Sequence, residues 1–113
     1  METRPNPMRI TDPDSGEVYT LDFSRESVKF AEQRGFDVTT YRRHPETGVS
    51  DLFFYAFRKN HRNMAREKTD KLLEELEGLL PEELARLEEL YTASISSFNL
   101  EGERKNARLT VEL

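Results

Sequence analysis

The stretch that most constrains this chain is Leu52-Phe53-Phe54-Tyr55-Ala56-Phe57, which holds three of the seven phenylalanines and has no charge before Arg58. A helix at a protein surface shows one apolar stripe and one polar face, so a run that is apolar on every side must be buried against several neighbours. We therefore predict a central helix over residues 50–61, with Ser50 as its N-cap.

Composition bounds the rest of the molecule. The 113 residues suffice for one domain, and the net charge of −5 disfavours a general affinity for nucleic acid or anionic membrane. Because there is no cysteine, disulfides and thiolate metal sites are excluded. No window has the apolar length of a signal peptide or a membrane span, so we expect a cytoplasmic protein.

The N-terminal part predicts a small β-hairpin. Residues 1–7 contain two prolines and are assigned to a disordered lead-in. An alternating pattern then flanks the turn-forming cluster 12–16, as is typical of two paired strands. The residues that alternate with polar neighbours are Met8, Ile10, Val18 and Thr20.

The first helix is predicted over residues 24–34. Ser24 is a favoured N-cap residue, and Gly35 can adopt the left-handed conformation that ends a helix. Phe36 can then fold back on Ala31, as in a Schellman ending. A polar connection follows over residues 36–49, and we expect it to include one helical turn near Tyr41.

A basic segment, residues 58–68, overlaps the end of the predicted central helix. Its cations are Arg58, Lys59, Arg62, Arg66 and Lys68. Such a cluster can contact phosphate, although cations also collect at helix C-termini because the dipole and the free carbonyls favour them. A small nucleic-acid-binding regulator is therefore an alternative function, with salt-dependent binding to DNA or RNA as its test.

Two further helices are predicted from leucines at helical spacing, with Gly78 ending the first and Pro81 beginning the second. The first stripe is Leu72, Leu73, Leu76, Leu79 and Leu80, and the second is Leu84, Leu87, Leu90, Tyr91, Ile95 and Phe98. We expect these helices to form a tight αα-hairpin. The acidic residues between Glu67 and Tyr91 are interpreted as a solvated outer face.

The predicted fold is mainly α with a small N-terminal β-hairpin, in which four helices form one small domain over residues 8–98. Residues 99–113 form a polar tail, whose last part, residues 107–113, alternates apolar and polar side chains. This pattern fits an edge strand that pairs with the N-terminal hairpin or with another chain, and a frayed tail fits equally. The sequence leaves homo-oligomer formation open.

No catalytic motif is present in the sequence. His44 and His61 lie far apart, without a carboxylate at helical spacing, and we interpret them as surface or capping residues. There is no glycine-rich phosphate loop, nucleophile elbow or histidine-rich metal motif. We therefore expect a protein that is not an enzyme and has no cofactor or metal.

The order of parts resembles the tail assembly chaperones of long-tailed bacteriophages, in the branch often found in prophages. The resemblance covers residues 8–98, and a weaker similarity extends over residues 107–113. The residues that make it are Tyr19-Thr20-Leu21-Asp22-Phe23, Ser24-Arg25-Glu26-Ser27-Val28-Lys29, Glu32-Gln33-Arg34-Gly35-Phe36, the 52–57 run, Asn60-His61 and Leu90-Tyr91.

The resemblance implies a factor without enzymatic activity in the cytoplasm of the bacterial host. It would keep the aggregation-prone tape-measure protein soluble, help to recruit tail-tube subunits, and be absent from the finished particle. Members of the family often make a longer form by translational frameshift, and this chain would be the short form. A structural component of the virion is a further alternative, which detection in purified particles would identify.

An acidic helical domain with a leucine and aromatic stripe can cover amphipathic segments of a client by helix-in-groove contact. Our hypothesis places the partner-binding surface on Leu87, Tyr91, Ile95 and Phe98. The competing interpretation is that this stripe is part of the hydrophobic core.

Overall fold

A computed structural model describes residues 4–39, 41–96 and 108–113. It confirms a mainly α fold with a small N-terminal β-hairpin and, within these residues, four α-helices. The elements are β1 (Met8–Thr11), β2 (Val18–Leu21), α1 (Arg25–Gln33), a 3-10 turn (Tyr41–Arg43), α2 (Pro45–Tyr55), α3 (Arg66–Glu75) and α4 (Pro81–Ser96).

The two strands are antiparallel, with Met8 opposite Leu21 and Ile10 opposite Tyr19. Residues that face each other in this way share one side of the sheet. Tyr19 and Leu21 are buried in the core, whereas Val18 is 49% exposed. The hairpin is therefore confirmed. Its buried face on β2 is formed by Tyr19 and Leu21, however, and not by Val18 and Thr20, which the alternation had singled out.

Helix α1 begins and ends as predicted. Ser24 is its N-cap: the Ser24 hydroxyl accepts from the Ser27 N–H at 3.2 Å, and the Ser27 hydroxyl accepts from the Ser24 N–H at 2.8 Å. At the other end Gly35 has φ +92°, and the Phe36 N–H donates to the Ala31 carbonyl at 3.0 Å. This is the Schellman geometry, and it turns the chain sharply at residue 35.

The predicted bounds of the central helix, 50–61, are wrong. Helix α2 begins at Pro45, where the fixed proline φ suits a first helical position and its missing N–H costs nothing. Ser50 lies inside the helix, and its hydroxyl donates to the Glu46 carbonyl at 3.1 Å. The helix ends at Tyr55, and a turn follows.

The early start of α2 depends on close contact with the preceding 3-10 turn, which is the helical turn predicted near Tyr41. A Cβ atom at Gly48 would lie 2.5 Å from the Tyr41 carbonyl oxygen and 2.6 Å from the Tyr41 Cβ. Only glycine leaves room for the backbone of the turn against the helix at this distance. His44 occupies the N-cap position without a side-chain hydrogen bond.

The central role of the apolar run is confirmed. Helix α2 packs against α1, α3, α4 and the 3-10 turn. Phe54 is half-buried, and the other members of the run are buried at 7% exposure or less: Leu52, Phe53, Tyr55, Ala56 and Phe57. The run extends past the helix end, so its last two residues are core residues of the turn that follows.

That turn also holds the hairpin. The Thr20 N–H donates to His61 Nε2 at 3.0 Å, and the Asn60 side-chain amide donates to the Thr20 carbonyl at 3.2 Å. The Asp22 N–H donates to the Ala56 carbonyl at 3.0 Å. An unpaired strand edge leaves backbone N–H and carbonyl groups without partners. Residues 56–61 supply these partners along the outer edge of β2, and His61 accepts one of the strand's N–H groups.

Helices α3 and α4 do not form the close αα-hairpin that we predicted. Helix α3 packs on α2, with Thr69 and Leu72 buried, whereas α4 packs on α1, α2 and β1. Leu76 and Leu80, which were expected in the hairpin interface, are exposed in the connection between the helices. Leucine spacing identified the buried Leu72, Leu87 and Leu90, but it was wrong for Leu76 and Leu80 and did not indicate which neighbour covers each helix.

Both ends of the chain are described in part. Arg4, in the expected lead-in, donates to the buried Asp22 carboxylate at 2.9 Å, and Arg86 donates to the Asn6 carbonyl at 3.0 Å. These contacts attach residues 4–7 to the domain, and residues 1–3 lie outside the described part. In the expected tail, residues 108–113 are exposed and form no strand, while residues 97–107 lie outside the described part.

We predict that Gly48→Ala destabilises the protein, although glycine to alanine inside a helix normally stabilises it by about 0.5–1 kcal/mol. The added methyl group would overlap Tyr41, and overpacking of this kind costs about 1–3 kcal/mol. Urea unfolding of the variant and of wild type measures the difference. Thr47→Ala, at an exposed position one residue earlier, is the control and should stay within about 0.5 kcal/mol of wild type. Equal or greater stability of Gly48→Ala would contradict the close packing.

Candidate binding groove

An open groove of about 450 Å³ lies between the end of α1 and the second half of α4. One wall comes from the chain just after α1, and the other from the last turns of α4. The residues that line it are Glu32, Gly35, Phe36, Asp37, Val38, Tyr91 and Ile95. We call this feature the α1–α4 groove.

The Schellman ending of α1 builds the first wall. Because the chain reverses at Gly35, Phe36 reaches back into the core and packs against rings from two helices. Its ring centroid lies 5.6 Å from that of Tyr91 and 5.5 Å from that of Tyr55. These edge-on and tilted contacts are favourable arrangements for aromatic pairs, so the groove has a rigid aromatic floor.

The sides of the groove combine apolar and acidic groups. Val38 and Ile95 are half-buried and present apolar surface, while Glu32 and Asp37 are exposed at the edge. The Asp37 carboxylate accepts from the Thr39 N–H at 2.8 Å, which fixes its position beside the groove. Such a site can receive apolar side chains and attract a cation at its rim.

Burial raises the pKa of the Tyr91 hydroxyl to about 12, with the carboxylates of Glu32 and Asp37 as smaller causes. Ionisation of a phenol is unfavourable in an apolar environment and next to negative charge. The raised pKa extends the pH range over which Tyr91 stays neutral from about 10 to about 12.

The structure separates the four residues of the predicted partner-binding stripe. Leu87 is fully buried and Tyr91 is 1% exposed, so both are core residues and Leu87 cannot lie on a binding surface. Ile95 lines the groove, and Phe98 lies outside the described residues. Of the described members of the stripe, Tyr91 and Ile95 border the groove.

Sequence reasoning missed the other half of the groove. Val38 and Asp37 were assigned to a polar connection, Phe36 was expected only to fold back on Ala31, and Glu32 was named for the family resemblance but not as a binding residue. The signal was present in part, because a Schellman ending brings the residue after the glycine back onto its own helix. What it could not reveal is that α4 covers this point.

Four of the five cations of the basic segment 58–68 form ion pairs within the protein. Arg58 lies 3.0 Å from the Glu26 carboxylate, and its guanidinium lies over the Phe30 ring at 4.0 Å. The further ion pairs are Lys59 with Asp22, Arg62 with Glu26, and Arg66 with Asp51 and Asp70. A nucleic acid phosphate would have to compete with these carboxylates.

The described part of the chain contains neither a candidate metal cluster nor a candidate membrane span. No cluster of three or more histidine or carboxylate side chains there is placed to hold a metal ion. No helix in that part is long and apolar enough to cross a membrane.

Fold and groove together define a small, mainly helical domain with an N-terminal hairpin and an open groove lined by both apolar and acidic side chains. The chain belongs to the family described as Domain of unknown function (DUF5055), whose model matches residues 2–113. No curated protein and no solved structure matches the chain. The family assignment therefore supplies no activity, and the function has to be argued from the groove and the sequence.

The raised pKa of Tyr91 predicts a loss of stability at high pH. Since the unfolded tyrosine ionises near pH 10, the neutral phenol contributes its full stability below that pH. This contribution is lost as pH rises from about 10 through about 12. We expect the free energy of unfolding in urea to fall less steeply over this interval for Tyr91→Phe than for wild type. Parallel curves would contradict the burial of this hydroxyl.

Proposed function

We propose that this protein is a phage tail assembly chaperone that binds the tape-measure protein and helps to recruit tail-tube subunits. The sequence resemblance over residues 8–98 suggests this class, and one structural observation supports it. The α1–α4 groove offers an aromatic floor with acidic edges on a small acidic domain. This combination suits a client with long amphipathic helices.

Helix-in-groove recognition explains how the groove would work. An amphipathic helix presents apolar side chains at positions i, i+3, i+4 and i+7, and these insert into an apolar groove. Val38 and Ile95 would contact such side chains, with Phe36 beneath them. Glu32 and Asp37 would face basic residues that flank the apolar face of the client, which favours encounter and orientation more than affinity.

The competing functions have less support. A nucleic-acid-binding regulator would need the cations of segment 58–68, and four of these five, all but Lys68, form ion pairs with carboxylates of the protein. A structural component of the virion would remain in purified particles, whereas the proposed chaperone acts in the host cytoplasm and leaves before the particle is complete.

The client is identified first from the DNA across the 3′ end of this gene and its neighbour. We expect a slippery heptamer with an overlapping frame, followed by a very long reading frame that encodes the tape-measure protein. That protein is then co-expressed with the tagged chain, and its soluble fraction and its recovery on the tag are measured.

We predict that Val38→Asp and Ile95→Asp each reduce client recovery at least about tenfold, because a buried charge opposes apolar contact. Val18→Asp is the matched control: it makes the same change at an exposed position on the hairpin and should bind as wild type does. Glu32→Lys, at an exposed position, tests the acidic edge without risk to the core and should weaken binding several-fold.

Circular dichroism and thermal unfolding of each variant check that it is folded. Folded groove variants that recover as much client as wild type would refute the groove as the client site. An equal loss for Val18→Asp would show that the effect is not specific to the groove.

A further inference from the structure

Among the residues that the structure describes, no strand pairs with one edge of the hairpin. Within the described residues the sheet has two strands, and the outer edge of β2 is covered by Asn60 and His61. The outer edge of β1 has no neighbouring strand there. An uncovered edge of this kind is a template for pairing with a further strand.

The hydrogen-bond pattern shows which groups of β1 point outward. The Thr20 N–H and carbonyl bond to His61 and Asn60, away from β1. In an antiparallel pair this places Thr20 and its partner Arg9 at a non-hydrogen-bonded position, so the N–H and carbonyl of Arg9 also point out of the sheet. Thr11, opposite Val18 two residues further on, has the same orientation.

The C-terminal segment has the properties of a strand that lacks its sheet. Leu109 is 84% exposed and Val111 62% exposed, and they alternate with the polar residues Thr110 and Glu112. The segment therefore has one apolar side, and this side is exposed to solvent in the described structure. A row of exposed aliphatic side chains on one side of a segment can mark a contact surface for another chain.

The two sequences match in one antiparallel register. In this register the apolar residues of the segment lie on the same side of the sheet as Ile10, whose side chain is half-buried against the core. The opposite charges of Arg9 and Glu112 face each other across the strands. The pairs are Arg9 with Glu112, Ile10 with Val111, and Thr11 with Thr110. A shift by one residue would place apolar side chains against polar ones and lose the charge pair.

We propose that the outer edge of β1 binds residues 109–113 of a second copy of this chain, so that two copies exchange their C-terminal segments. The chain's own segment is exposed in the described structure and does not occupy the edge. Each copy offers one edge and one segment, so reciprocal exchange closes as a two-fold dimer without leaving an open end. This inference does not depend on the proposed chaperone function.

The test is the oligomeric state of the full chain over a range of concentrations, measured by sedimentation velocity. We expect a monomer–dimer equilibrium that Thr110→Pro abolishes, because proline removes the N–H that would pair with Thr11. Thr110→Ala keeps this N–H and is the matched control. Both changes lie in the exposed segment, so neither affects the folded core.

A charge exchange identifies the register. Glu112→Arg should weaken the dimer several-fold, because it places two positive charges opposite each other at positions 112 and 9. Adding Arg9→Glu should restore the dimer. A monomer at every concentration would overturn the proposal, even if hydrogen exchange showed the Thr11 amide protected by the chain's own segment. A dimer that is unaffected by Thr110→Pro would overturn it as well.

Discussion

The rest of the structure depends on the burial of the apolar run Leu52–Phe57. Because this run is apolar on all sides, one covering layer is not sufficient, and α1, α3, α4 and the hairpin each cover part of it. Ring contacts connect the run to these elements. The ring centroid of Phe57 lies 5.8 Å from that of Tyr19 in the hairpin, and the ring centroid of Tyr55 lies 5.5 Å from that of Phe36 after α1. The groove floor is thus an extension of the core, which makes it rigid before any client binds.

Polar contacts around this core determine which charges are available for binding. Asp22 is almost fully buried and bonds to both Arg4 and Lys59, while Glu26 pairs with Arg58. A buried carboxylate without cations would be strongly destabilising, so Arg4 and Lys59 are structural partners of Asp22. The pair of Arg58 with the half-exposed Glu26 contributes less.

The sequence predicted features that depend on a few neighbouring residues. The capping of α1 by Ser24 and its ending at Gly35 are examples, since both are decided within one helical turn. The burial of the 52–57 run was predictable because it follows from composition alone. The start of α2 was missed because Ser50 offered a good cap, while the contact between Gly48 and Tyr41 that favours the earlier start is tertiary. The groove is formed where residues 35–38 lie beside Tyr91 and Ile95. A local sequence pattern does not predict a contact between segments this far apart in the chain.

Hydrogen exchange of the protein with and without the proposed tape-measure client tests the groove as a binding site most directly. Bound client should slow exchange in residues 35–38 and around Ile95, where amides are near the groove, and leave the hairpin turn at 12–16 and helix α3 unchanged. Protection confined to the basic segment 58–68, with none at the groove, would contradict the account.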